Sequence, residues 1–170
     1  MIAVGQSQGE VRAAITTAHD RVWASIALPG ATLPATKRCA IVSEARAAGS
    51  CSLCSQRKQA IAPAQVEGRH SSPSLRAGLL TEAEVEIVHK IVTDSGRVTK
   101  TWVEQQLASG ISDSAYVEIA SLVCLIRVVD TFRKGVGLPE LAEPDPVPGD
   151  PPRSSQLFDG PGRVFRRGSW

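Results

Sequence analysis

One segment of the sequence, 113–134, restricts the possible folds more than any other. It follows Ser112, which together with Asp113 suits the start of a helix, and it continues to about Lys134. Its apolar residues fall on nearly every side of a helix: Val117, Ile119, Ala120, Leu122, Val123, Leu125, Ile126, Val128, Val129 and Phe132. A helix of this composition is stable when other elements surround it. We therefore expect a central helix that is buried on most of its sides.

Helical patterns also occupy most of the remaining chain. Apolar residues recur at helical spacing, and the segment Thr81–Glu84 has the capping box typical of a helix start. Helices are predicted over about 9–28, 34–48, 51–62, 82–94, 99–110 and 113–134. The sequence has no strand pattern, and aromatic residues make up only 4% of it, so the core must consist mainly of Ala, Val, Ile and Leu. These features predict an all-α helical bundle.

The composition changes near the end of the chain. The 170 residues fit one domain, and the helical patterns all fall within 1–138. Residues 139–170 contain seven of the eleven prolines, with Asp, Gly and Arg between them. We predict a helical domain over 1–138 and a proline-rich extended tail over 139–170, which either wraps the domain or a neighbouring subunit or is mobile.

Charge and hydropathy argue against two classes of partner. The net charge is +2, from 19 basic and 17 acidic residues, and no Lys/Arg block with interleaved aromatics marks a nucleic-acid site. No stretch reaches the roughly 18–20 apolar residues of a membrane span, and the N-terminal residues lack the pattern of a secretory signal. We therefore expect neither nucleic acid nor membrane as a partner, and we expect a cytoplasmic location, where thiols stay reduced.

The most chemically distinctive feature is the dithiol pair Cys51-Ser-Leu-Cys54. Two cysteines at this spacing near a helix start can close a disulfide, and the helix N-terminus, with Arg57 and Lys58 one turn on, favours the thiolate. Such a thiolate attacks peroxides or disulfides, and the second thiol resolves the product. The motif therefore supports peroxide reduction or dithiol–disulfide exchange, with a peroxide or a disulfide as the substrate.

Three other interpretations of the pair compete. A zinc site needs four ligands, usually with a second close-spaced pair, whereas the other candidates are isolated in the sequence: Cys39, Cys124, His19, His70 and His89. Polar neighbours disfavour two ordinary core cysteines, and a thioredoxin-like motif requires a βαβ unit. We expect no metal ligands and no cofactor. We interpret His70 and His89 as surface or edge histidines, since a proton shuttle must lie within hydrogen-bond reach of its thiol.

One acidic residue of the long helix has two interpretations. Glu118 lies near the start of this helix, where the helix dipole favours a carboxylate. It could instead belong to a buried polar cluster. We prefer the first interpretation.

The setting of the dithiol resembles a known family. The stretch 38–61, RCAIVSEARAAGSCSLCSQRKQAI, has the order helix, break, CxxC, helix, and the stretch 116–139, YVEIASLVCLIRVVDTFRKGVGLP, has a long helix with a G-x-P-like end. In these features the chain resembles the alkylhydroperoxidase D-like (AhpD-like) proteins of the carboxymuconolactone decarboxylase superfamily. The resemblance covers about residues 9–140.

The resemblance implies an AhpD-like all-α bundle that forms a homo-oligomer, often a trimer. It also implies that the second cysteine of the motif attacks the peroxide and the first resolves it, so Cys54 would be the attacking thiol and Cys51 the resolving one. Electrons would return through a thiol or lipoyl-protein reductant. We interpret the chain as a CxxC-dependent, peroxide-reducing antioxidant. The alternatives are a non-catalytic helical binding or assembly protein and a metal site built on the CxxC.

At the positions where that family has its proton-relay residues, this chain has other residue types. The family has a Glu twelve residues before the first cysteine and a His four residues after the second, and these positions hold Cys39 and Lys58. Lys58 can lower a thiol pKa but is a poor proton shuttle at neutral pH. Glu44 lies about 140° around the helix from Cys39 and can substitute only if the alignment contains a gap. Lys58 and Glu44 are the catalytic candidates beside the two cysteines.

Overall fold

The computed structural model describes residues 12–152 of the chain. This range forms seven α-helices and contains no β-strand, which confirms the all-α prediction. The helices are α1 (Ala13–Ile26), α2 (Ala35–Ala47), α3 (Ser52–Gln59), α4 (Pro73–Arg76), α5 (Glu82–Asp94), α6 (Lys100–Ala108) and α7 (Asp113–Gly135). The first residues of the helix predicted over 9–28 and the end of the predicted tail, 153–170, lie outside the described residues.

Helices α2, α5 and α7 form the centre of the fold, where each packs against the other two. Ile41 of α2, Ile87 of α5, and Ile119 and Ile126 of α7 are fully buried between them. Burial of one such side chain stabilises the fold by about 1.5–3 kcal/mol. Helix α7 is therefore central, as its sequence predicts.

The outward side of α7 differs from the prediction. Val117 is 60% exposed, Val128 58% and Leu125 40%. The expectation that this helix is buried on most of its sides is wrong for the single chain, because its neighbours cover only the inner faces.

No helix within 12–152 is both long enough and apolar enough to cross a membrane.

The break between α2 and α3 places the dithiol. Residues Ala48–Ser50 form a 3₁₀ turn, the backbone is extended at Cys51, and α3 begins at the next residue. Cys54 therefore lies in the first turn of α3, close to the unpaired amides of the helix start. Helix α3 is shorter than predicted and packs against α5.

The start of α5 agrees with the predicted capping box. The Thr81 hydroxyl accepts a hydrogen bond from the backbone N–H of Glu84, and the Glu84 carboxylate accepts one from the backbone N–H of Thr81. The helix register that follows turns Val85, Val88 and His89 into the interior, where each is fully buried. The cap therefore helps to position a histidine in the core.

Glu118 belongs to a polar cluster that joins α7 to the connection between α1 and α2. Its carboxylate accepts hydrogen bonds from the backbone N–H groups of Thr32, at 2.7 Å, and Leu33, at 3.2 Å. It also pairs with the guanidinium of Arg38. Glu118 therefore belongs to a polar cluster, which agrees with the second interpretation. It is the sixth residue of α7 and lies beyond the first turn, where the helix dipole acts most strongly.

After α7 the chain continues to residue 152 without a helix or strand. This segment, 138–152, lies over the first two helices, and we call it the C-terminal strap. The Trp23 indole donates a hydrogen bond to the carbonyl of Ala142 at 2.7 Å. The backbone N–H of Val147 donates to the carbonyl of Ala27 at 2.8 Å. The described part of the predicted tail therefore wraps its own domain.

Candidate functional site

The two cysteines of the motif belong to a small buried cluster. Cys51 is 2% exposed and Cys54 is 6% exposed, and both are free thiols. Their Sγ atoms and one ring nitrogen each of His70 and His89 all lie within 4.8 Å of one another. The cysteines come from the start of α3, His70 from the loop before α4, and His89 from α5. We call these side chains the dithiol cluster.

His89 connects the dithiol to a buried carboxylate. Its Nδ1 lies 3.2 Å from Cys54 Sγ, and its Nε2 donates to Glu44 Oε1 at 2.7 Å. The other oxygen of Glu44 accepts from the Ser72 hydroxyl at 2.8 Å and from the Ser74 backbone N–H at 3.2 Å. The side chains of His89 and Glu44 are fully buried. These partners offset the cost of burying a charged carboxylate.

His70 makes a second connection of the same kind, closer to solvent. Its Nδ1 lies 3.5 Å from Cys54 Sγ and 3.6 Å from Cys51 Sγ. Its Nε2 donates to Glu86 Oε2 at 2.7 Å, and Arg57 Nη1 donates to the same oxygen at 2.8 Å. The His70 side chain is 9% exposed and that of Glu86 is 24% exposed. Each thiol therefore has an imidazole at hydrogen-bond distance.

These contacts determine the protonation state of Cys54. Burial is the largest single influence and raises its pKa, but the hydrogen bonds and positive charges of His70 and His89 together outweigh burial and lower the pKa to about 6. Burial also raises the pKa of Cys51, and hydrogen bonds from the Cys54 and Ser71 backbone and from His70 lower it below its usual value. Cys54 is therefore a thiolate at neutral pH.

The two imidazoles are held in the protonated form. Burial lowers both pKa values, but hydrogen bonds to the Cys54 thiolate and to the carboxylates raise the pKa of His70 to about 10 and that of His89 to about 9. Burial raises the pKa of Glu86, while His70 and Arg57 lower it to about 2. A doubly protonated imidazole donates through both nitrogens, which suits a thiolate on one side and a carboxylate on the other.

A cavity of about 670 Å³ opens beside the dithiol cluster. Its lining residues include Cys54 and His70 of the dithiol cluster and Trp102 and Gln105 of α6. Cys51 is not among the lining residues. A small molecule in this cavity can therefore contact Cys54.

The structure brings together some of the predicted site residues and separates others. Glu44 lies one imidazole away from Cys54. Lys58 is exposed, and within residues 12–152 no hydrogen bond or ion pair joins its side chain to the dithiol cluster. Cys39 is half-buried outside the cluster. The basic residue that reaches the cluster is Arg57, through its ion pair with a carboxylate that holds an imidazole.

The interpretation of His70 and His89 as isolated surface or edge histidines is wrong, because both contact the dithiol. One signal could have identified His89. His89 lies four residues after Val85, on the apolar face of the helix predicted over 82–94. Glu44 lies three residues after Ile41, on the apolar face of the helix predicted over 34–48. Polar residues at buried positions of two helices indicate a buried pair. His70 lies in an irregular segment and gives no such signal.

Comparisons of the chain with protein-family models, with curated proteins and with solved structures give no significant match. The AhpD-like family therefore stays a prediction that depends on the motif and its helical setting.

Proposed function

We propose that the protein is an AhpD-like thiol redox protein that reduces peroxides through Cys51 and Cys54. The position of Cys54 carries this proposal. Its Sγ lies 3.2 Å and 3.5 Å from two imidazole nitrogens, and the residue is among those that line the cavity. Reductive attack on a peroxide requires a thiolate, a proton donor beside it and access for the substrate.

In the first step the thiolate of Cys54 attacks the terminal oxygen of a hydroperoxide, ROOH. The S–O bond forms as the O–O bond breaks, and the electron pair of the broken bond leaves with RO⁻. A proton from an imidazolium converts RO⁻ to the alcohol ROH, and Cys54 is oxidised to the sulfenic acid. His70 is the better placed proton donor because it also lines the cavity.

In the second step Cys51 resolves the sulfenic acid. The Cys51 thiolate attacks the sulfur of Cys54, the S–S bond forms, and the hydroxide that leaves takes up a proton to become water. The two Sγ atoms lie no more than 4.8 Å apart in the reduced protein. A dithiol reductant, for which a lipoyl protein is the candidate from the family resemblance, then returns two electrons and two protons and becomes a disulfide.

The relay residues of the family have counterparts elsewhere in this chain. The positions where the family has Glu and His hold Cys39 and Lys58. Glu44 from α2 and His89 from α5 provide the same two residue types next to Cys54. Glu44 acts as a positioning residue, since it contacts the imidazole and not the thiol.

The experiment is single-turnover oxidation of metal-free, reduced protein by one equivalent of an organic hydroperoxide. Remaining thiols are trapped with a maleimide and mapped by mass spectrometry. We expect the rapid loss of two thiols, at Cys51 and Cys54. In the Cys51→Ser variant we expect a sulfenic acid at Cys54, which dimedone traps. Cys124→Ser is the matched control, because Cys124 is exposed and lies outside the cluster.

A different pattern would contradict the proposal. If Cys124 or Cys39 reacts faster than Cys54 in the folded protein, the dithiol cluster is not the peroxide site. If Cys54 stays alkylatable after prolonged exposure, the protein is not a peroxidase, and a non-catalytic helical binding protein becomes the better interpretation.

A further inference from the structure

We propose that the reduced dithiol cluster binds one Zn²⁺ ion through Cys51, Cys54, His70 and His89. The zinc site shares its side chains with the proposed peroxide site, but metal binding does not require them to react with peroxide. The cluster then has a second state, in which a metal ion is bound to its thiolates.

The distances between the donor atoms fit a tetrahedral zinc site. Zn–S bonds of about 2.3 Å and Zn–N bonds of about 2.0–2.1 Å at tetrahedral angles place S and N about 3.5 Å apart. The S···N distances from His70 are 3.5 Å to Cys54 and 3.6 Å to Cys51, and that from His89 to Cys54 is 3.2 Å. All the ligand atoms lie within 4.8 Å of one another, so small side-chain rotations complete the coordination sphere.

The second partner of each histidine also fits zinc. Ligating histidines usually donate their other ring N–H to a carboxylate, which fixes the ring and its tautomer. Here both histidines direct Nδ1 towards sulfur and donate through Nε2, His70 to Glu86 and His89 to Glu44, each at 2.7 Å. The proposed reaction requires one proton donor beside Cys54, whereas the cluster contains two imidazoles, each with its own carboxylate.

The burial of the cluster determines what a bound ion would do. Cys51 is 2% exposed, Cys54 is 6% exposed and His89 is fully buried. Four protein ligands leave no open position on a tetrahedral ion, which is the arrangement of structural rather than catalytic zinc. The ion reaches the cluster through the cavity beside Cys54. Binding releases the protons that the ligands carry, because thiolates and neutral imidazoles are the coordinating forms.

A bound ion and a peroxide therefore compete for the same thiolate. The zinc-bound protein should react more slowly with hydroperoxide than the metal-free protein. A chelator should restore the rate.

The experiment is a titration of metal-free, reduced protein with Co²⁺, followed by displacement with Zn²⁺. We expect saturation at one equivalent, with visible d–d bands of tetrahedral Co²⁺ and a near-ultraviolet thiolate-to-cobalt band. Cys51→Ser, His70→Gln and His89→Gln should each weaken Zn²⁺ binding by more than tenfold. Glu86→Gln should weaken it by about 10–100-fold, as loss of an outer-shell partner does. His19→Gln and Cys124→Ser are matched controls that should bind normally, and circular dichroism verifies that each variant is folded.

Three outcomes would overturn the inference: an octahedral Co²⁺ spectrum, no saturation at one equivalent, or equal loss of affinity in the controls. The results also separate this inference from the proposed function. If metal-free protein forms the Cys51–Cys54 disulfide with peroxide but binds neither ion, only the metal site fails. If Zn²⁺ binds to the four side chains but Cys54 does not react with peroxide, only the peroxidase fails.

Discussion

The thiol of Cys54 and the carboxylate of Glu44 are bridged by a single, fully buried imidazole. His89 lies 3.2 Å from the sulfur through Nδ1 and 2.7 Å from the carboxylate through Nε2. A change in the charge of the carboxylate must therefore alter the protonation of the imidazole and, through it, that of the thiol. This coupling makes the dithiol cluster sensitive to a residue that no substrate in the cavity touches.

Glu44→Gln should raise the pKa of Cys54. The neutral amide can still accept a hydrogen bond but no longer stabilises the positive charge of His89, so the thiolate loses a cationic partner. A shift of about one pKa unit corresponds to about 1.4 kcal/mol. Alkylation of Cys54 by iodoacetamide, measured across pH, should show the raised midpoint. Glu143→Gln is the matched control. Glu143 is an exposed carboxylate of the C-terminal strap, and it contacts Ser43, which lies next to Glu44 on α2. An unchanged midpoint in Glu44→Gln would refute the coupling.

The alkylation rate of Cys54 should depend on pH with a midpoint near pH 6. Its pKa is about 6, so the thiolate fraction is high above pH 6 and falls as the pH drops through that value. An unperturbed cysteine has a pKa of about 8.5. Peptide-resolved alkylation of metal-free protein should give a midpoint near pH 6 for Cys54. A midpoint near 8.5 would contradict the geometry of the cluster.

The rate of peroxide consumption should decline at high pH as well as at low pH. The proton donors of this reaction are imidazoliums, and the pKa of His89 is about 9 and that of His70 about 10. As the pH rises through these values the donors are lost, although Cys54 remains a thiolate, so the rate should be bell-shaped while alkylation is not. Stopped-flow measurements with an organic hydroperoxide provide the comparison. A peroxide rate that still follows alkylation about one unit above the pKa of His70 would exclude both histidines as the acid.

Arg57 and Lys58 should differ in their effect on the dithiol. Arg57 pairs with Glu86, which holds His70, whereas Lys58 is exposed. Loss of a partly exposed ion pair is worth up to about 1 kcal/mol, which corresponds to about 0.7 unit in the pKa of Cys54. Arg57→Ala should therefore lower the alkylation rate of Cys54 by up to about fivefold near pH 5, where most of the thiol is protonated, and by less than about twofold at neutral pH. Lys58→Ala should leave it unchanged. The reverse order would restore Lys58 as the residue that activates the thiol.

The sequence predicts the helices that carry the dithiol cluster. It does not predict that these helices bring the cysteines and histidines into contact. Helix α5 is predicted from its capping box and apolar stripe, and it begins where that box places it. The contact between Cys54 and His89 spans 35 residues, however, and depends on how α3 packs against α5. Helical periodicity reports which face of a helix is buried but not what it meets. The position of His70 depends on an irregular loop, for which the sequence contains no periodic pattern.

The long helix shows a second limit of sequence interpretation. Its apolar residues predict a central position, and α7 does pack against α2 and α5. The same pattern also includes Val117 and Val128, which are exposed. Composition alone does not distinguish a helix enclosed by its own chain from one whose outer side is left uncovered.

Gly30→Ala should destabilise the fold. A Cβ at this position would overlap the Glu118 carboxylate and the Arg38 guanidinium, which together hold the connection between α1 and α2. Overpacking of this kind costs about 1–3 kcal/mol. Gly49→Ala is the matched control, because no atom lies within 4 Å of its added Cβ. Urea unfolding of both variants measures the difference, and equal midpoints would show that the polar cluster yields without cost.

Trp23 should stabilise the domain through the C-terminal strap. Its indole N–H donates to the Ala142 carbonyl at 2.7 Å, and the ring is 7% exposed. Trp23→Phe keeps most of the buried apolar surface but removes the donor, so we expect a loss of about 1 kcal/mol in the free energy of unfolding. The control is a chain that ends at Leu138 and therefore lacks the acceptor. In a double-mutant cycle the effect of Trp23→Phe should shrink in the shortened chain, because the two changes remove the same contact. An equal effect in both chains would show that the indole acts by packing alone and that the strap is held by its other contacts.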